Sequence, residues 1–339
     1  MWRVKLGEDL ESGDDAPEGR SGQGGVTGEA SRLFRGPVVH GHVARQDLKY
    51  CGCRRRVCSG ECPGLQTRWG SVRPKGFSYP LTPLGRSSIV GPYPWHYGTE
   101  YINILYRTDP EVIASYLPYP LEPGEEPDLA YVAFSRWWSL WEEGKDMPWL
   151  NPERTQYLEA AIWTGCSFEG RQGQICLHIW VDNDFSMARG WFMGFPKKLG
   201  QVFMTGYHPL NPGMPQPGPG TRLKGIASAH GERLIEGEME IMESAPPGEL
   251  PRPMGLPLFH IRHFPSIEKG APPSVLELVS LGAENYRYGE IAWRGSGKLA
   301  FFPSEIEEHF ALAPIEVLGA FSFSSGYTFD GGRILYSWV

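Results

Sequence analysis

Six stretches of the chain alternate apolar and polar residues with a period near two: YINILY (101–106), LAYVAF (129–134), QICLHIWV (174–181), QVFMTGY (201–207), ERLIEGEMEIME (232–243) and GRILYSW (332–338). Alternation over such lengths marks β-strands with one face toward water. Turns rich in proline and glycine separate them, most visibly HPLNPGMPQPGPG (208–220). Helix signals are few. Asp109-Pro110-Glu111 supplies an N-cap and a proline at the first helical position. Ser304-Glu305-Ile306-Glu307 has the capping-box spacing and predicts a helix that stops before Pro314. A third helix is expected over 274–281. Many strands and few helices imply an α+β fold that is mainly antiparallel β. The expected sheet is curled or barrel-like and encloses a pocket, with a few flanking helices.

The alternating segments all lie in the second part of the chain. Residues 1–85 hold six aromatic residues and the remaining 254 hold 37. The first part is rich in Gly, Arg and Ser and has no sustained period. It offers too little apolar surface to offset chain entropy, so 1–85 is expected to be a disordered extension and 86–339 the folded domain. Within the extension, CGCRRRVCSGEC brings Cys51, Cys53, Cys58 and Cys62 close together. Four thiolates can hold one zinc ion, but this spacing matches no common zinc pattern. Free cysteines are the plainer reading, and no metal is expected. The six cysteines do not form a secreted disulfide framework, and the N-terminus is acidic and glycine-rich rather than signal-like. No apolar run is long enough for a membrane helix. A cytoplasmic location is the resulting expectation. The net charge of −7, with both signs spread along the chain, gives no basic face for nucleic acid.

Common catalytic motifs are missing from the sequence. There is no P-loop, no strand leading into G-x-G-x-x-G, no G-x-S-x-G and no H-E-x-x-H. His260 and His263 are three apart, which on a strand places them on opposite faces. His178, in CLHIW, reads as a core histidine.

One stretch conflicts with its surroundings. GFPKKLG (194–200) sets Lys197 beside Lys198 in a run of apolar and aromatic residues. A solvated surface turn is the plain explanation. The alternative is a nucleophilic amine. With a reference pKa near 10.4, only about one lysine in 2,500 is neutral at pH 7, and making half of them neutral requires about 4.6 kcal/mol. A second ammonium at roughly 7 Å, with an effective dielectric near 20, supplies about 2.4 kcal/mol of repulsion. The remainder has to come from burial. The flanking Trp191, Phe192, Met193 and Phe195 are candidates to provide it and to line a substrate pocket. Successive strand residues face opposite sides, so one lysine would meet the pocket and the other would act through space.

The heptad resembles the signature of the acetoacetate decarboxylase family. GPYPWHYGTEYINILYRTD (91–109), YLPYPLEPGEEP (116–127), YLEAAIWTGCSFEGRQG (157–173), LHIWVDND (177–184), AWRGSGKLAFFPSE (292–305) and APIEVL (313–318) resemble that family in wording and order. The resemblance spans roughly 89–339. It implies an antiparallel, barrel-like sheet, assembly into homo-oligomers and chemistry that needs no cofactor. It implies Lys197 as the imine-forming lysine, Lys198 as the neighbouring cation that favours a neutral amine, and Glu159 as the active-site glutamate. Activation of a lysine by a cationic neighbour is already known in this family.

Two departures bear on the substrate. The family's arginine before the glutamate–tyrosine pair is replaced by Thr99, and its G-R-E before the lysine motif by Gly190-Trp191-Phe192. Arg189 is the candidate substitute for the lost charge, and Arg107 reads as a structural strand-end arginine. These changes favour substrates larger and less polar than acetoacetate. The leading function is a Schiff-base lysine decarboxylase acting on a β-keto acid. The alternatives are an imine-forming aldolase or dehydratase of the same superfamily, and a non-catalytic barrel that binds a small carbonyl ligand. Deletion of residues 1–85 is expected to leave the melting temperature nearly unchanged, as thermal denaturation of the truncated and full chains will show.

Overall fold

The computed structural model describes residues 74–214 and 216–339. Cys51, Cys53, Cys58 and Cys62, with most of the expected extension, lie outside the described residues. Residues 74–85 correct the boundary of that extension, because they pack on the folded domain. Phe77 packs edge-on against Trp95 and Phe192, and the buried Ser78 hydroxyl bonds the backbone of Val90 in both directions. Two apolar partners and a closed hydrogen-bond pair hold this segment, which composition averaged over 85 residues conceals, so a deletion that runs through residue 85 is now expected to lower the melting temperature.

The strands are β1 (Trp95–Arg107), β2 (Glu122–Pro123), β3 (Leu129–Trp141), β4 (Gln156–Phe168), β5 (Arg171–Val181), β6 (Lys197–Leu199), β7 (Gln201–Met204), β8 (Arg222–Ala229), β9 (Glu232–Ala245), β10 (Leu258–Phe264), β11 (Val275–Leu281), β12 (Glu284–Tyr288), β13 (Ala292–Phe301), β14 (Glu316–Phe329) and β15 (Gly332–Ser337). The helices are α1 (Pro110–Ser115), α2 (Met147–Leu150) and α3 (Asp184–Met193). Although residues 205–207 and Trp338 run past the strand ends, all six alternating segments contain strands. They join one sheet in the order β15-β11-β10-β5-β4-β3-β1-β14-β13-β9-β8-β7, with β2, β6 and β12 attached to β4, β5 and β14. Pairing is antiparallel except between β5 and its neighbours β6 and β10. The expected antiparallel, curled sheet is therefore present, but it is not closed into a barrel. β7 and β15 are its free ends among the described residues.

The curl folds β7, β8 and β9 back over β1, β3 and β4. This gives the central strands a burial pattern that differs from the expectation. Instead of one wet face they have two dry ones. Ile102, Ile104, Val132, Phe134, Ala160 and Ile162 enter the inside of the curl, where they meet Ala227, Ile235 and Met239. Tyr97, Leu105, Tyr131, Trp137, Tyr157 and Trp163 enter a second core on the outer face. Central strands buried on both sides read as nearly continuous apolar runs. The inside of the curl is packed solid. Phe134 occupies the space where side chains at Gly225 and Gly237 would stand. The large cavity lies on the other face.

The helix signals have mixed outcomes. Asp109 caps α1 by accepting from the Glu111 N–H at 2.8 Å. The capping-box sequence gives no α-helix. Ser304 Oγ accepts from the N–H groups of Ile306 and Glu307, but the Glu307 side chain turns away, and only a 3-10 turn forms beyond it, at Glu308–Leu312. The helix expected over 274–281 is strand β11, held between β10 and β15. Its apolar pattern fits both periods, and two neighbouring strands decide in favour of extension. Helix α3 is an addition to the expected elements. It is capped by Asn183, whose side chain accepts from the Phe185 N–H at 3.1 Å. Among the described residues no helix is long and apolar enough to cross a membrane. Cys166 and Cys176 are buried free thiols, and His263 is exposed while His260 is buried.

Three histidines are held neutral, His260 and His309 buried and His178 half-buried. Burial lowers His178 from an ordinary 6.5 to about 4 and His260 to about 3, with the Lys197 charge adding to the second effect. As pH falls below about 6.5 the unfolded chain takes up protons that the folded chain refuses. Stability contributed by these groups is thus lost on acidification through that window. The melting temperature is expected to fall between pH 7 and 5, and to fall less steeply in His260→Phe.

Candidate active site

The local sequence explains why two lysines stand together. Helix α3 ends at Gly194, whose φ of +88° is the left-handed conformation that suits a helix cap. A Cβ there would strike the backbone of Ile261. The Gly194 and Phe195 N–H groups close on the carbonyls of Trp191 and Gly190. Pro196 then prevents any return to helix. The chain leaves as β6, pairing Lys197 with Ile179 and Lys198 with Trp180. Strand alternation sends the two side chains to opposite faces.

Lys197 turns inward and is 5% exposed. Its Nζ donates to Glu159 Oε2 at 2.8 Å and to Ser186 Oγ at 3.0 Å. The ammonium also lies over the rings of Tyr157 and Phe195, at 5.1 and 5.6 Å. Glu159 comes from β4, opposite Ser135 of β3, and is buried as well. The lysine stem passes across α3 at Gly190, where a Cβ would overlap Lys197 Cδ. Of the family's G-R-E, the glycine that remains is the residue the lysine needs.

Lys198 points away, as strand geometry requires. It is half exposed and pairs with the buried Glu307 at 2.6 Å, while His230 meets the other carboxylate oxygen at 3.0 Å. Burial raises the Glu307 pKa, but the side-chain donors around it, Lys198 first and then Trp180 and His230, outweigh it and hold the carboxyl below its ordinary value. The positive charge of Lys198 is thus offset on its own side. The repulsion expected between adjacent lysines is weaker than the bare spacing suggests.

Lys197 and Glu159 line a cavity of about 490 Å³ on the outer face of the central strands. That volume lies within the range of small-molecule sites, roughly 300–1,000 Å³. Tyr97, Tyr101, Trp137, Tyr157 and Tyr327 make much of the wall. Burial pushes the Tyr97 phenol up to about 12 against the opposing Arg189 charge, and raises Tyr101, Tyr157 and Tyr327 as well, so all four are neutral hydroxyls.

The expected pocket residues divide. Arg189, Met193 and Phe195 line the cavity. Trp191 and Phe192 do not. Trp191 turns outward, whereas Phe192 packs against the outer-face core beside the cavity. Trp191 is 48% exposed and donates its indole N–H to the Lys197 carbonyl, and Phe192 packs on Phe77. Arg189 is buried with no carboxylate partner among the described residues. Nη1 donates to Ser139 Oγ at 3.0 Å and Nη2 to the Tyr157 hydroxyl at 3.3 Å, while Nε has no partner among the described residues. Trp95, Tyr97, Tyr157 and Phe185 surround the guanidinium within 6 Å. Among the described residues, Arg189, Lys197 and Glu159 are the only charged ones lining the cavity, so with all three ionised its wall carries one uncompensated positive charge. Arg107 is structural, paired with Asp128 and Glu126. Ser186 escapes a reading of the sequence that does not place α3. Once α3 is placed, Ser186, Arg189, Gly190 and Met193 share one face at helical spacing.

The family model for acetoacetate decarboxylase matches residues 78–338. The acetoacetate decarboxylase of Chromobacterium violaceum is 27% identical over 276 residues, covering 79% of this chain and 97% of that relative. Among solved structures, the enduracididine biosynthesis enzyme MppR, complexed with the condensation product of pyruvate and imidazole 4-carboxaldehyde, is 34% identical with a TM-score of 0.73, over 80% of this chain and 100% of that one. An acetoacetate decarboxylase-like enzyme from Sphingomonas wittichii RW1 is 28% identical with a TM-score of 0.72, over 78% and 100%.

Removing one partner of a buried ion pair leaves the other uncompensated. Glu159→Gln is expected to destabilise the protein by roughly 3–5 kcal/mol in chemical denaturation, and the double change Glu159→Gln with Lys197→Met by distinctly less.

Proposed function

Because the chain belongs to the acetoacetate decarboxylase family, we propose that it is a carbon–carbon lyase that binds a keto acid as an imine on Lys197. The observation that carries this reading is a buried amine on a cavity wall, 2.8 Å from a buried carboxylate. Glu159 accepts the proton that the ammonium sheds, and the free amine adds to the ketone carbonyl. Glu159 gives that proton to the departing hydroxyl, so water leaves and a protonated imine remains. With a β-keto acid, the electrons of the C–CO2 bond flow into the imine nitrogen, CO2 departs and an enamine remains. Glu159 delivers a proton taken up from solvent to the enamine carbon, and hydrolysis releases the ketone and frees Lys197. Arg189 holds the carboxylate, since it is the one cavity cation without an anionic partner among the described residues. The catalytic unit in this reading is the expected domain 86–339, begun a few residues earlier by Phe77 and Ser78.

A second reading is favoured by Thr99 and by the likeness to MppR. Thr99 is buried and its hydroxyl has no partner among the described residues, where decarboxylases of the family carry an arginine. One cation rather than two then faces the substrate carboxylate. A carboxylate fixed on Arg189 stays attached if the substrate is an α-keto acid. There, Glu159 removes a proton from the carbon next to the imine, and the enamine adds to an aldehyde.

Borohydride added during incubation with a β-keto acid or pyruvate is expected to fix one substrate-derived adduct on Lys197, found by peptide mass spectrometry and lost in Lys197→Met. No adduct across a panel of ketones would remove both readings. Evolution of CO2 selects the first reading, and a condensation product with an added aldehyde selects the second. Arg189→Met is expected to raise KM for carboxylate-bearing substrates about 10–100-fold.

A further inference from the structure

The cavity is larger than the imine chemistry requires, and its far end holds a polar group that the structure leaves unused. Asn103 stands on β1, two residues beyond Tyr101, and faces the cavity on the same side of the strand. It is 3% exposed. Its amide Nδ2 lies 3.4 Å from Met254 Sδ, and its Oδ1 has no hydrogen-bond partner among the described residues. The thioether sulfur accepts but cannot donate, so the amide nitrogen belongs on that side and the carbonyl oxygen is the free end. A buried amide oxygen with no partner is uncommon and costly.

Strand register places this oxygen relative to the site. Tyr97 stands opposite Ser139, the partner of Arg189. Tyr101 stands opposite Ser135, which in turn faces Glu159. Asn103 comes next, opposite Ala133, which faces Ala161. The guanidinium, the Lys197–Glu159 pair and the Asn103 carbonyl are therefore met in that order along the strands. The last step is two residues, or about 7 Å. The two alanines beside Asn103 carry no side chain beyond Cβ, which leaves the space before it open. The nearby Tyr131 hydroxyl is already spent on Gln174, at 2.6 Å. Apart from Asn103, this end is lined by Met254, Leu256, Pro257 and Leu258 and carries no charge among the described residues.

We propose that Asn103 forms a second subsite, which accepts a hydrogen bond from an uncharged donor on the far end of the substrate chain. The substrate class is then a keto acid extended beyond its ketone and bearing a hydroxyl, amide or heteroaromatic N–H. The carboxylate sits on Arg189, the carbonyl carbon on Lys197 and the donor on Asn103. This inference rests on the imine reading. A slot built around a buried acceptor rejects analogues lacking the donor far more strongly than an apolar slot rejects an extra methylene.

The test uses two keto acids of equal length, one ending in a hydroxyl and one in a methyl group. Borohydride trapping of either on Lys197 is established first. If neither is trapped, the imine reading fails and Asn103 is not at issue. With trapping in hand, the wild-type protein is expected to favour the hydroxyl acid at least about tenfold in kcat/KM. Asn103→Leu is expected to bring that ratio within about twofold of one, whatever its absolute rates. Equal handling of the two acids by the wild-type protein, or a preference that survives in Asn103→Leu, overturns the proposal. Should Asn103→Leu not fold, the wild-type comparison alone decides.

Discussion

A buried contact between Lys197 and Glu159 organises this half of the molecule. Neither charge survives alone in such surroundings, and each is delivered by a different part of the chain. The glutamate comes from a central strand of the sheet. The lysine comes from a short parallel strand that exists only because a helix has just ended. The helix in turn must present a glycine where the lysine stem crosses it and a serine where the ammonium needs another acceptor. Cap, proline, crossing and strand are thus one device for placing a single nitrogen.

The sheet separates two environments. Its inner face packs against the returning strands and is closed to solvent and ligand alike. Its outer face carries the tyrosines, the tryptophans and the cavity. The central strands alternate between the two, so the same residues that stabilise the fold set the floor of the site. Lys198 and Glu307 join on the side opposite the cavity and fasten the short strand from behind. The two adjacent lysines therefore serve different faces, one lining the cavity and one pairing with Glu307 behind it. Their mutual repulsion is muted by the acid that lies beneath the second.

Much of this is legible in the amino-acid sequence, and the exceptions have physical causes. Alternation finds the strands, and GFPKKLG with Y-L-E-A finds the lysine and the glutamate that meet. Alternation cannot show that the central strands are dry on both sides, because that depends on the strands that fold over them. VLELVSL fits either period, and its neighbours make it a strand. Helix α3 is hidden by its aromatic residues. With it goes the expectation that Trp191 and Phe192 line the pocket, when the helix turns Trp191 outward and packs Phe192 beside Phe77. Arg189 is in view, but its lack of an acidic partner is a property of three dimensions. The same is true of Asn103, an ordinary polar residue in a strand until its surroundings are known.

One close approach has a mechanical meaning. Where the Lys197 stem lies in the notch left by Gly190, methylene groups touch helix backbone and have no room to swing. Carrier lysines that ferry cargo between stations need a loose tether; this one is a fixed post. In the imine chemistry proposed above, whatever becomes attached to it must do its reacting in place, and bonds can change only where the carbon skeleton already rests.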